Sequence, residues 1–333
     1  MVHRAVVLMN LGGPDSLAAV RPFLYNLFSD RAIIDLPAPL RLPLATVIAA
    51  RRAGVARKIY GQLGGSSPLL ANTEAQARAL EAELGAGYRC FVAMRYWHPL
   101  TAAAVGAVKA WRADEVILLP LYPQFSTTTT GSSLAAWRRE ARRQGLGVAT
   151  RAVRSYPAAA GFIAAEAALI ANALDAAEAG GAAVRLLFSA HGLPLRIVAK
   201  GDPYPREIER TAAAVAAALG RPGLDWRVCY QSRVGPLAWL GPSVEDELHR
   251  AGCDGVGIVV APISFVSEHS ETLVELDRDY RRLAAAFGVP AYHRVPTVAA
   301  DRRFIAALAE LVRGTGQRAR SVDRAAISAG PGS

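Results

Sequence analysis

Cysteine is scarce in this chain: three in 333 residues, Cys90, Cys229 and Cys253, with no CxxC pair among them. That spacing argues against a disulfide framework and against a zinc or iron–sulfur site built by local sequence. Reduced cysteines in strands and a turn are expected instead. Charge is also sparse, at 20% of residues against 52% hydrophobic. Even so, no window of about 20 residues lacks both charge and proline, which argues against a membrane-spanning helix. There is no GxGxxG after the first apolar run and no GxxxxGK[ST], so a dinucleotide or P-loop reading lacks its phosphate cradle. A GxSxG elbow is missing too, which removes the serine-hydrolase reading. The N-terminal MVHRAVVLMNLGGP has too short an apolar run for a signal peptide and no small-residue cleavage site, so it reads as a first strand in a cytoplasmic protein.

What the chain does have is length and rhythm. At 333 residues it suits two domains of roughly 150 residues each. Apolar runs end in turn residues at 6–10, 89–99, 115–120, 184–194, 226–236 and 256–262. Helical stretches lie between them, at 72–84, 134–144, 162–179, 205–219 and 244–251. Continuous apolar strands alternating with helices predict an α/β fold of parallel sheets covered on both faces. The halves look like copies: Pro14 and Pro194 are offset by 180 residues, Pro99 and Pro236 by 137, Pro120 and Pro262 by 142. The same comparison leaves about 43 extra residues in the first half, somewhere in 24–68.

The predicted layout is therefore a first domain over 1–150 with this insertion, a second over 151–298, a helix at 299–313 packing back on the body, and a disordered tail at 314–333. Within the insertion, prolines are expected to break any long helix in 32–60. Leu36, Leu40, Leu42, Leu44, Val47 and Ile48 stand there beside Arg41, Arg51, Arg52, Arg57 and Lys58. An apolar surface followed by a basic cluster suits an interfacial membrane contact, although a helix packed on its own domain explains it equally well. The net charge of +10 favours an anionic partner, but the arginines are scattered and no nucleic-acid module is present.

Ligands of parallel α/β sheets bind beyond the carboxyl ends of the strands. Two segments deliver ionisable groups there. His191 follows the strand 184–189 and precedes Gly192; Glu268, His269 and Glu271 follow the strand that ends at Pro262. Taken singly, His191 reads as a satisfied structural histidine, and the glutamates as helix-start electrostatics with Ser267 as N-cap. Brought to one sheet edge, a histidine and a carboxylate suit proton uptake or divalent-metal binding. The run Ser126–Ser133 is either an anion site at a helix start or a capped loop.

Eight segments in order, LMNLGGPDS (8–16), FLYNLFSDRAII (23–34), YGQLGGSSPL (60–69), MRYWHP (94–99), LYPQFSTTTTGSSL (121–134), FSAHGLP (188–194), QSRVGPLAWLGP (231–242) and PISFVSEHSETL (262–273), resemble the ferrochelatase family. The resemblance implies two Rossmann-like domains with a porphyrin cleft between them, and a lyase that inserts ferrous iron into protoporphyrin IX. It assigns His191 and Glu271 to the iron site, with Glu268 and His269 as supporting groups. It places Arg95 and Tyr96 on the cleft wall opposite the histidine, and makes Ser67 and Arg95 contacts for propionates. Leu11, Tyr60 and Trp239 would face the macrocycle. Insertion needs the metal stripped of water, two pyrrole protons removed and the ring bent, so a cleft that favours the bent porphyrin lowers the barrier.

Ser270 departs from the aliphatic residue of most relatives, which alters polarity beside Glu271. The tail carries no cysteine, so no [2Fe–2S] cluster and no organic cofactor is expected, with Fe²⁺ as substrate. The 231–242 segment and the apolar lip resemble the protoporphyrin group of relatives rather than the coproporphyrin III group. The alternatives are a coproporphyrin III ferrochelatase and, from another class, a non-catalytic tetrapyrrole binder.

Overall fold

The computed structural model describes residues 2–328 apart from 182, 234 and 236, with side chains described as far as 315. The first half runs β1 (Arg4–Asn10), α1 (Val20–Phe28), α2 (Ala38–Gly61), α3 (Leu69–Leu84), β2 (Tyr88–Met94), α4 (Thr101–Ala110), β3 (Glu115–Pro120), α5 (Ser132–Arg143) and β4 (Ala149–Ala152). The second runs α6 (Ala160–Glu178), β5 (Val184–His191), α7 (Leu195–Val198), α8 (Tyr204–Leu219), β6 (Trp226–Gln231), α9 (Val244–Asp254), β7 (Gly257–Pro262), α10 (Tyr280–Ala286), β8 (Tyr292–Arg294) and α11 (Arg302–Ser328). Two π-helical segments, Thr127–Gly131 and Glu271–Asp279, follow β3 and β7. The edge strands β4 and β8 and the helix α4 escape the sequence reading, and β4 carries the first sheet two residues past position 150.

The sheets are ordered β2-β1-β3-β4 and β6-β5-β7-β8, parallel throughout. They are the same arrangement used twice. Met9 faces Pro120 in one and Ser189 faces Pro262 in the other, which reproduces the offsets of 180 and 142 read from the prolines. Pro236 lies outside the described residues, but the strand ends Met94 and Gln231 keep the third offset, 137. β1, β3, β5 and β7 are buried along nearly their whole length, as central strands covered on both faces must be.

One core joins the halves. Val6, Leu8, Ile117 and Leu119 of the first sheet and Leu186, Phe188 and Val259 of the second enclose Phe162 and Ile170 of α6 with Phe304 and Leu308 of α11. By length and composition α6 is apolar enough to cross a membrane, but here its side chains fill this interior. The same helix buries Glu166 without a hydrogen-bond partner among the described residues, and burial pushes its carboxyl up to about 8. The acid is therefore carried neutral at pH 7.

The sequence reading needs three corrections. First, 38–61 is a single 24-residue helix. Pro37 caps it, Pro39 sits in the first turn where no N–H is needed, and only Pro43 costs an internal bond. Second, α11 continues past Arg313 and Gly314 to Ser328, because alanine and arginine carry the helix on; residues 329–333 of the expected disordered tail lie outside the described residues. Third, Cys253 lies in the last turn of α9 rather than in a loop turn.

Candidate active site

β5 and β7 are neighbours, so the segments that leave them emerge side by side although they lie far apart in sequence. The chain reverses its direction of sheet growth between these two strands, the crevice where open α/β sheets bind ligands. His191 ends β5. Its Nδ1 lies 2.7 Å from the Gly192 carbonyl, which assigns the proton there and turns Nε2 outward. Glu271 opens the π-helical segment after β7. One carboxylate oxygen stands 3.6 Å from His191 Nε2, and the other 3.7 Å from His269 Nε2. Glu271 thus lies between two imidazoles. His191 is 42% exposed and Glu271 29%, so a ligand can reach both.

The electrostatics follow from that placement. Burial disfavours an imidazolium at His191, but the neighbouring Glu271 carboxylate overcomes it and pushes the pKa up to about 9. Burial likewise opposes a charged Glu271, yet His191 and then His269 hold its carboxyl well below the usual range. For His269 burial wins, and its pKa is lowered. Glu275 is raised, first by burial and then by the charge on Glu271. Two carboxyls on one helix are thereby driven apart in proton affinity, a common arrangement where protons are moved.

The supporting residues hold this geometry. The backbone N–H of His191 donates to Ser264 Oγ at 3.1 Å, and the Tyr204 hydroxyl donates to the His191 carbonyl at 3.0 Å. Phe265 packs between the rings of His191 and His269, with centroids 6.4 and 4.6 Å away. Glu268 points away from the pair. Its carboxylate accepts from Arg294 Nη1 at 2.9 Å and the Thr297 N–H at 3.0 Å, and also from the Thr272 hydroxyl. Ser267 does not cap the helix; it donates to Gln76 of α3 at 3.0 Å and so ties the loop to the first half.

The other predicted residues divide. Trp239 packs on the histidine loop: a Cβ on Gly192 would meet its ring at 3.2 Å, and the Gln231 carbonyl at 2.9 Å, so only glycine fits. Tyr60, at the end of α2, is buried in the field of Glu271 with its phenol against Ser270, and burial pushes its pKa up to about 12. Leu11 lies at the mouth of the first sheet, packed against the cluster that contains that ring. By the 180-residue offset it is the counterpart of His191. Ser67 accepts from the Leu69 N–H at 3.3 Å, and its hydroxyl hydrogen makes no bond among the described residues.

Arg95 and Tyr96 are not disposed as expected. The Arg95 guanidinium is committed to Asp30 at 2.6 Å and Ser132 at 2.7 Å. Tyr96 is 1% exposed and donates to the same Asp30 at 2.8 Å. A buried phenol must find an acceptor, and here the first-half loop supplies it, so Tyr96 braces the wall from behind. The serine–threonine run is a capped loop: the anion at its helix start is Asp202 of the second half, which accepts from Thr127 N–H at 2.8 Å and Ser126 Oγ at 3.0 Å.

Sequence reasoning passed over Glu275, Ser264, Phe265 and Tyr204. Only Glu275 carried a signal, being four residues from Glu271 on the same helix. Among the described residues no three His, Cys, Asp or Glu side chains converge as a metal cage. A metal reaching His191 and Glu271 would keep coordination positions open. That suits an ion to be handed on rather than stored. Hollows of about 560 Å³ beside His249 and Cys253 and about 240 Å³ beside Trp137 and Arg142 are lined by neither residue of the pair.

Comparison with known proteins identifies the family. The ferrochelatase family model matches residues 3–315. A ferrochelatase of Caulobacter vibrioides (strain NA1000 / CB15N) is 54% identical, covering 93% of this chain and 89% of its own. One from Wolbachia sp. subsp. Drosophila simulans (strain wRi) is 52% identical over 93% and 98%. Among solved structures, SirB from Bacillus subtilis with Fe³⁺ superposes with a TM-score of 0.57 over 96% of this chain and 98% of its own; at 12% identity that likeness concerns the fold. The chain belongs to the ferrochelatase family.

Proposed function

We propose that this chain inserts ferrous iron into protoporphyrin IX to form protohaem, with His191 as acceptor of the pyrrole protons and Glu271 sharing metal delivery or the proton exit. The observation that carries the reading is the Glu271 carboxylate, poised between His191 and His269 at the end of the second sheet. Two protons must leave the macrocycle as iron enters. An imidazole with a carboxylate behind it takes a proton and stabilises the resulting charge. Imidazole and carboxylate are also ligands that Fe²⁺ accepts. Trp239, half-buried on the histidine loop, offers ring surface, and Ser67 a hydroxyl for a propionate. Anaerobic incubation of the purified protein with Fe²⁺ and porphyrin tests the proposal. The haem spectrum is expected with protoporphyrin IX, at a higher rate than with coproporphyrin III. Binding of porphyrin without metallation would leave only the carrier reading standing, and a faster coproporphyrin reaction would reverse the substrate assignment.

A cytoplasmic site with peripheral membrane contact completes the proposal. The helix α2 buries only Ala45, Ala49, Ala53 and Tyr60, an i, i+4 stripe that packs on the body. Leu40 (61% exposed), Leu42, Leu44, Val47 and Val55 face outward, with Leu17 and Tyr25 nearby. Arg51, Arg57 and Lys58 lie on the same helix and are exposed. Such a face gains by burial in an anionic bilayer surface. The protein is expected to sediment with anionic liposomes at low salt. Leu40→Ser with Val47→Ser should weaken this several-fold, and recovery in the supernatant at all lipid concentrations would remove the idea.

A further inference from the structure

The His191–Glu271 spacing depends on groups that the family comparison and the reaction do not name. Gln231, the last residue of β6, lies directly beside His191 in the sheet register and is fully buried. Its backbone carbonyl accepts from the Gly192 N–H at 2.8 Å. Its side-chain oxygen accepts from Ser189 Oγ of β5 at 2.7 Å. Its amide nitrogen donates to the Glu271 carbonyl and to Glu275 Oε2, both at 3.2 Å. One buried amide therefore bonds the strand that delivers the histidine and the helix that delivers the glutamate. A buried amide is costly unless bonded, and this one uses both ends.

Ser232 continues the connection. Its φ of +62° lies in the left-handed region, which a non-glycine residue enters only at a steric cost. In that conformation its N–H reaches Glu275 Oε1 at 2.8 Å and its hydroxyl meets the other carboxylate oxygen. Strain held at such a point signals that the contact it permits is worth keeping. Tyr280 donates to Glu275 Oε1 at 3.1 Å, so the carboxyl is gripped from three residues.

We infer that Gln231 and Ser232 are positioning residues, which set the distance and angle at which His191 meets Glu271 during iron insertion. The inference rests on the proposed roles of that pair. Displacements of about 1 Å at a reacting centre cost up to a hundredfold in rate.

Gln231→Met keeps the length of the side chain and removes its hydrogen bonds. Steady-state kinetics with Fe²⁺ and protoporphyrin IX should show kcat reduced about 10- to 100-fold, with the porphyrin KM within about twofold of wild type. Combined with Glu275→Gln, the loss should be less than the product of the single losses, since both act at one junction. If Gln231→Met does not fold, Gln231→Glu and Ser232→Gly carry the test, with the same split between kcat and KM. A folded Gln231→Met enzyme with wild-type kcat overturns the inference, as does a fall in kcat that only follows lost thermal stability. Iron insertion that persists in His191→Ala would instead remove the reading beneath it, so the two failures are distinguishable.

Discussion

His191→Ala is expected to lower the rate of iron insertion by about 10²- to 10⁴-fold, the usual contribution of a positioned acid–base group, while porphyrin binding stays close to wild type. The imidazole contributes no large apolar surface to the cleft, whereas the walls near Tyr60 and Trp239 remain in the variant. What is lost is the proposed acceptor at the end of β5, together with the imidazolium that does most to hold Glu271 charged. Glu271 should therefore take up a proton more readily, and the residual rate of the variant should decline at acid pH. Porphyrin fluorescence quenching measures the binding and the haem spectrum the rate. Undiminished insertion would refute the assignment, and a parallel collapse of binding would recast His191 as a structural residue.

The second large effect concerns pH. With Glu271 beside it, His191 has its pKa pushed up to about 9, so in the free enzyme at pH 7 it carries a proton. A metal ion or a pyrrole proton must therefore meet a base that is only about 1% free. At subsaturating iron the rate should rise about tenfold per pH unit below 9 and level off above it. Glu271→Gln removes the largest attraction and leaves burial, which acts downward, against the Gly192 carbonyl and Glu275, which act upward. The rising limb should then move toward acid, to a lower plateau because the carboxylate proposed for metal delivery is gone.

Stability follows the same signs. The raised His191 pKa gives a contribution complete below its ordinary 6.5 and lost as pH climbs through 9. The depressed Glu271 pKa gives one complete above its ordinary 4.5 and lost as pH falls below it. Their joint contribution is greatest between about 4.5 and 6.5. Measurement of kcat/KM for iron and of Tm against pH tests both; superimposable profiles for wild type and Glu271→Gln would end the argument.

Much of the architecture was legible in the chain because hydrophobic rhythm and turn residues are local properties. The apolar runs that end at Pro120 and Pro262 mark β3 and β7, and the proline offsets carry the duplication down to the register of facing residues. The strands β4 and β8 were not legible: they are four and three residues long and half-polar, and pairing with a neighbour is what makes them strands. In α2 the prolines do not break the helix, because two of the three fall where a helix start tolerates them. The family resemblance sets Arg95 and Tyr96 on the cleft wall, and no motif reveals that Asp30, some 65 residues away, takes both side chains.

The sequence by itself determined that two parallel-sheet halves would form and that His191 and Glu271 would leave the carboxyl ends of strands, since strand period, turn chemistry and strand order in the chain are written locally. Tertiary structure alone decided that β5 and β7 adjoin, that Gln231 and Glu275 complete the junction, and that a histidine ordinarily neutral at pH 7 is charged. Proton affinity depends on which charges stand within a few ångströms through space, and that distance is a property of the fold rather than of spacing along the chain.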